Sequence, residues 1–156
     1  SPTTKEKGSL IHGIVHDPSA RAMGGIAGHA GLFTTVNDLA TFCRMIVNEG
    51  KIGSIRILKN QTVALMTRSH TSITKHKVRR GLGWDIDSKY SGPRGDIFPK
   101  IESFGHTGWT GGSVWLHPNT RSFVILFGNR NHPIERRSIK SIQHDLGTLS
   151  AKAFGL

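Results

Sequence analysis

Apolar residues at Leu39, Phe42, Cys43, Ile46 and Val47 recur at the spacing of one α-helical face. A neighbouring Thr or Asn37 can accept the first free amide hydrogens, Asp38 favours the positive helix start, and Gly50 closes the element. Leu58–Met66 reads as a second, shorter helix with Asn60 as its cap, and 68–80 as a polar, basic loop. Gly81–Asp87 alternates apolar and polar residues, as a strand does. Three further strand-like runs follow at Ser103–Trp109, Gly112–Leu116 and Ser122–Phe127, with His117-Pro118-Asn119-Thr120-Arg121 turning the second into the third. Phe123–Phe127 is apolar throughout, which predicts a strand buried on both faces. Ile134, Ile139, Ile142, Leu146 and Leu149 then predict a C-terminal helix packed on the sheet. The order predicts an α+β fold: an antiparallel sheet of three or more strands packed with helices.

At 156 residues the chain has the size of one domain, expected over 11–156, with the polar residues 1–10 reading as a linker or a cut end. No apolar run approaches the ~20 residues of a membrane span. The single cysteine, Cys43, lies on the apolar helical face and is expected to be a buried structural thiol. Charge is lopsided, with 21 Lys and Arg against 10 Asp and Glu and a formal net charge of +11. That balance admits a polyanionic partner. The basic residues nevertheless fall in short clusters, around Lys75–Arg80 and Arg136–Lys140, without any nucleic-acid-binding motif, so a solvated basic face is expected and nucleic acid is disfavoured.

Few segments carry chemistry. There is no G-x-S-x-G elbow, no H-E-x-x-H and no cysteine cluster. His12 and His16 have helical ligand spacing, but Gly13-Ile14-Val15 between them is a poor helix and no third ligand is near, so no metal and no cofactor are expected. Ser72-Ile73-Thr74-Lys75 matches S-x-x-K, yet no apolar helix face follows, and it reads as a chance match. The run Phe104-Gly105-His106-Thr107-Gly108-Trp109-Thr110-Gly111-Gly112 is different. Several glycines in a strand region imply close approach of backbone or ligand. Chemistry alone leaves two readings open: an accessible site bearing an imidazole and a hydroxyl, or a glycine-rich edge strand with a satisfied histidine.

His106-Thr107-Gly108 on a strand, followed by a second strand, a turn with Pro118, and Phe123–Arg130, resembles the K-T-G region of class C-type β-lactamases, penicillin-binding proteins and related esterases. Upstream, Val15–Ala20, Gly24–Thr35 with Asp38-Leu39-Ala40, and Gly81-Leu82-Gly83-Trp84 resemble segments of the same family in the same order. The resemblance implies the C-terminal portion of a β-lactamase/transpeptidase-like fold in a bacterial serine hydrolase. It further implies that His106 and Thr107 contact a substrate carboxylate or carbonyl, that Gly108 leaves room for it, and that the Trp109 N–H is one of two oxyanion-hole donors. His29 is placed near the pocket as a substrate contact, with turn stabilisation as the competing role. The family's S-x-x-K nucleophile and Y-x-N motif have no counterpart here, so the chain alone is expected to be inactive. The expected partners are an acyl substrate (β-lactam, ester or cell-wall peptide) and the missing N-terminal part or a second copy. Histidine in place of lysine removes a permanent positive charge, which favours esters or peptides over penicillins. The alternative is a non-catalytic module presenting its basic face to a polyanion.

Overall fold

The computed structural model describes residues 3–71, 78–133, 135 and 138–156. Among the described residues, two short hairpins and three helices precede a five-stranded sheet, and a long helix lies near the end of the chain. The lead-in folds back on itself as β1 (Lys5–Glu6) and β2 (Ser9–Leu10), turned by Lys7 and Gly8, both at positive φ. The segment read as a linker or cut end therefore contains a hairpin. Asp17 caps α1 (Pro18–Ala22), its Oδ1 accepting the Ala20 N–H at 2.7 Å. Gly24–Gly31 is a run of turns, as its four glycines predict.

Helix α2 (Val36–Val47) is capped by Thr35, whose Oγ1 accepts from Asp38 N–H at 3.1 Å while donating to Asp38 Oδ2 at 2.8 Å. Gly50, at φ +90°, ends it by donating its N–H to Met45 O. The hairpin β3 (Lys51–Ile52) and β4 (Ile55–Arg56) leads to α3 (Asn60–Thr67). Asn60 is the first residue of α3 and not its cap: Lys59 holds the cap position and makes no side-chain bond.

The sheet order is β5-β6-β7-β8-β9, antiparallel throughout: β5 (Arg79–Arg80), β6 (Asp85–Asp87), β7 (Phe104–Thr107), β8 (Ser113–His117) and β9 (Ser122–Leu126). Two expectations shift here. Arg79 and Arg80, read as loop, form the outer strand. Gly81–Trp84, read as strand, is instead a bend closed by Gly81 N–H to Trp84 O. Two glycines in four residues favour that turn over the pleat suggested by the alternation.

Register assigns the two faces. The cross-strand set Phe104, Leu116 and Phe123, with Val114 and Ile125, packs with Cys43, Ile46 and Val47 of α2 and with Trp84. The next set, Gly105, Trp115 and Val124, faces the other way, towards Phe98 and Ala151 of α4 (Lys140–Ala153). Strand β9 is thus contacted on both faces but only half-buried, because it is an edge strand of the sheet, opposite β5. Helix α4 also differs from its apolar pattern. Gln143, Gly147 and Ala151 are its buried residues, while Ile142 and Leu149 are 58% and 63% exposed. A Cβ at Gly147 would strike the Pro93 carbonyl, so close approach to the 3-10 turn Gly92–Arg94, more than apolarity, selects the inward stripe.

Candidate active site

The end of β7, the turn 108–112 and the start of α4 surround a cavity of about 490 Å³. His106, Thr107, Gly108 and Trp109 all line it, as do Gly111, Arg130 and Gln143 from the elements that hold the turn. Gly108 N–H donates to Gly112 O at 2.7 Å and Gly111 N–H to Gly108 O at 3.0 Å, which closes the loop. Two partners brace it from outside. The buried Gln143 Nε2 donates to the Gly111 and Gly112 carbonyls at 3.3 Å each. Arg130 donates Nε–H to the Trp109 carbonyl at 2.9 Å, with its guanidinium 5.0 Å from the centre of the Trp109 ring.

What remains uncommitted is chemically useful. Among the described residues, the Thr107 hydroxyl and the Trp109 N–H have no hydrogen-bond partner, and both belong to residues lining the cavity. The Trp109 side chain is 66% exposed. A Cβ at Gly108 would meet nothing closer than 3.7 Å, so this position keeps the wall open. Gly105 has another purpose: a Cβ there would collide with the Val114 carbonyl and the Trp115 ring. Of the four glycines in the run, Gly105 serves the core and Gly108 the cavity.

His106 is exposed, its Nδ1 2.8 Å from Thr107 O and its Nε2 3.3 Å from Arg80 Nη1. Arg80 Nε lies 3.5 Å from Asp85 Oδ1, and the Arg80 guanidinium carbon lies 5.6 Å from the centre of the Tyr90 ring. Asp85 is buried, and its other oxygen accepts from Ser91 Oγ at 2.8 Å. Lys89 and Lys140 also line the cavity, so with Arg80 and Arg130 four cationic residues stand in its described lining beside one acidic residue, Asp85, which faces Arg80; Arg130 is paired with Glu135 at 2.7 Å.

Arg80, Asp85 and Gln143 were not legible as site residues. Arg80 lay in a basic stretch read as loop, and Asp85 looked like the polar half of an alternating strand. Gln143 lies off the apolar stripe that the pattern predicts for its helix, so no signal in the sequence marks it. Arg130 ends the segment Phe123–Arg130 that carries the resemblance, which implies no role for it.

The remaining candidates lie elsewhere. His29 Nε2 is 3.0 Å from Asp17 Oδ1, tying the glycine-rich segment to the cap of α1, and His29 does not line the cavity. The Asp17 carboxyl is held below its ordinary range, first by the Ala20 N–H and then by His29. That geometry matches turn stabilisation. His16 Nε2 lies 3.1 Å from Asn131 Nδ2, and no group of three or more potential metal ligands occurs among the described residues. Cys43 is buried, and burial pushes its thiol up to about 12. Ser72–Lys75 falls outside the described residues.

The family model described as Beta-lactamase matches residues 3–148. The chain belongs to the beta-lactamase family. It is 33% identical over 150 residues to a Salmonella typhi protein provisionally named D-alanyl-D-alanine carboxypeptidase, covering 94% of this chain and 34% of that protein. A Salmonella newport protein of the same name is 32% identical over the same length. A Mycobacterium bovis β-lactamase structure superposes with TM-score 0.59 and 20% identity, over 81% of this chain and 47% of that one, a likeness of fold. This beta-lactamase-family chain spans about a third of the length of the curated relatives it matches. The expected α+β fold and the superfamily of serine β-lactamases and penicillin-binding proteins are both borne out. No helix among the described residues is long and apolar enough to cross a membrane.

Proposed function

We propose that this chain forms the substrate-binding wall of a serine acyl hydrolase. The observation that carries the reading is the pair of uncommitted donors, the Thr107 hydroxyl and the Trp109 N–H, flanking the open Gly108 on one wall of the cavity. Thr107 donates to the substrate's carbonyl or carboxylate. The Trp109 N–H stabilises the oxyanion that develops when a serine attacks the acyl carbon, and a second amide beside that serine completes the pair. The serine oxygen forms the acyl bond, the leaving group takes a proton as it departs, and water then hydrolyses the ester. The attacking serine comes from a segment of the whole protein other than Ser1–Leu156. The substrate class is an ester, a β-lactam or a cell-wall peptide; the carboxypeptidase name of the Salmonella relatives points to the last.

The test is His106→Ala in the full-length protein, assayed on an activated ester and on a peptide ending in D-alanyl-D-alanine. A fall in kcat/KM of at least about tenfold, roughly 1.4 kcal/mol of transition-state stabilisation, is expected. An unchanged value would remove His106–Trp109 from the active site.

A further inference from the structure

The Trp109 N–H is aimed by groups that lie well outside the cavity. In a trans peptide the carbonyl and the N–H point in opposite directions, so a partner on one fixes the aim of the other. Arg130 N–H donates to Thr110 O at 2.9 Å. On the far side of that trans peptide, Gly111 N–H donates to Gly108 O at 3.0 Å. On the far side of the next is the Trp109 N–H, which has no partner among the described residues. Three peptide dipoles thus run head to tail from Arg130 to Trp109, and each bond polarises the next. The Arg130 side chain secures the carbonyl of Trp109 as well, and is itself paired with Glu135. The turn and the segment 128–131 run in contact, for a Cβ at Gly111 would meet the Gly128 backbone at 3.3 Å. Asn131 anchors that segment. It is fully buried, its N–H donates to Asn129 Oδ1 at 3.2 Å, and its Nδ2 lies 3.1 Å from His16 Nε2, 115 residues away. His16 is tied in turn to α1, its carbonyl accepting from Arg21 Nη1 at 3.1 Å. The pair carries a cost: His16 Nδ1 and Asn131 Oδ1 are sealed from solvent with no hydrogen-bond partner among the described residues. An apolar contact would avoid it, so packing alone does not account for a histidine and an asparagine here.

We infer that His16 and Asn131 are the positioning pair of the oxyanion donor: they fix the segment 129–131, and Arg130 passes that position through Thr110, Gly111 and Gly108 to the Trp109 N–H. Neither residue lines the cavity, so both act through Arg130 and not on the substrate. The inference gives a purpose to His16, which lies in the segment Val15–Ala20 that the resemblance marks without a role. It also fixes the kinetic signature. An oxyanion donor acts on charge that develops only in the transition state, so a misaimed N–H lowers kcat and leaves KM nearly unchanged. The part concerning turnover rests on the hydrolase reading; the aim of the Trp109 N–H does not.

The experiment compares His16→Leu, which removes the contact with Asn131, with His16→Gln, whose side-chain amide can renew it. In this chain, backbone amide NMR should show the Gly111 and Trp109 signals displaced in H16L, Gly111 moving upfield as its bond to Gly108 lengthens. H16Q should return both towards their wild-type positions. In the full-length protein, with an activated ester as substrate, H16L should lose about tenfold in kcat with KM within about twofold, and H16Q should recover most of the rate. A merely structural role would lower the thermal midpoint of H16L and leave kcat per folded molecule and these two amides as they were. That result overturns the inference, as does an H16Q variant that restores neither signal nor rate. Should H16L fail to fold, His16→Asn, which stays polar but is too short to reach Asn131, is measured in its place and judged by the same outcomes. Absence of turnover in the full-length wild type would instead strike the hydrolase reading, and the amide signals alone would then decide whether His16 and Asn131 position Trp109.

Discussion

His117 ends β8 with its ring buried, Nδ1 2.8 Å from Thr120 Oγ1 and its face edge-on to Phe98. Burial lowers its proton affinity from the ordinary value of about 6.5, and Glu102 offsets this only in part. The sign follows directly. Between the lowered folded value and about 6.5 the unfolded chain binds the proton more readily, so the contribution of His117 is complete above pH ~6.5 and is lost as pH falls through that window. His144 has the opposite sign, raised first by Asp145 and then by Asp96. Its ring is well exposed, however, and solvent screening keeps its effect small. Urea midpoints should therefore fall between pH 7.5 and 5.5, and His117→Gln should flatten that dependence. An equal slope in the variant would assign the acid sensitivity elsewhere.

At the level of elements, the glycines of β7 and the following turn divide between two needs that sequence alone could not separate. Gly105 sits opposite Trp115, whose ring fills the space a side chain would occupy and whose Nε1–H donates to the buried Ser103 hydroxyl at 2.9 Å. Gly105→Ala forces either Trp115 or the β7–β8 pairing to move, an overpacking that costs about 1–3 kcal/mol. A thermal midpoint lowered by several degrees, with near-UV signals of Trp115 altered, is the expected result. A midpoint within one degree of wild type would show that the strand pair can open without strain. In α2 local signals and packing largely agreed: the Thr cap and Cys43, Ile46 and Val47 of the inward face were legible, whereas Phe42 stands 40% exposed and Ala40 and Met45 are buried instead. In α4 they did not: its register is set by the contact of Gly147 with the Pro93 turn and by Gln143 reaching the site turn, both long-range in sequence.

Over the whole molecule, apolar side chains stand in solvent around the glycine-rich segment: Ile26 is 90%, Leu32 87% and Phe33 65% exposed. Surface of this kind, added to Ile142 and Leu149 on α4, exceeds the scattered single residues of an ordinary surface. The chain should therefore enhance anilinonaphthalene sulfonate fluorescence under native conditions, and Leu32→Ser with Phe33→Ser should reduce the signal by about half or more. Dye binding indifferent to the double substitution would locate the apolar surface elsewhere.

The sequence by itself determined the α+β class, the capped α2, the three consecutive strands with their turn, and the segment His106–Trp109, because each depends on residues close together in the chain. Only the tertiary structure decided which glycine faces the core and which the cavity, which stripe of α4 turns inward, and that Arg80 stands against His106. Those depend on strand register and on contacts such as Arg80 with His106, 26 residues apart, which no local pattern encodes.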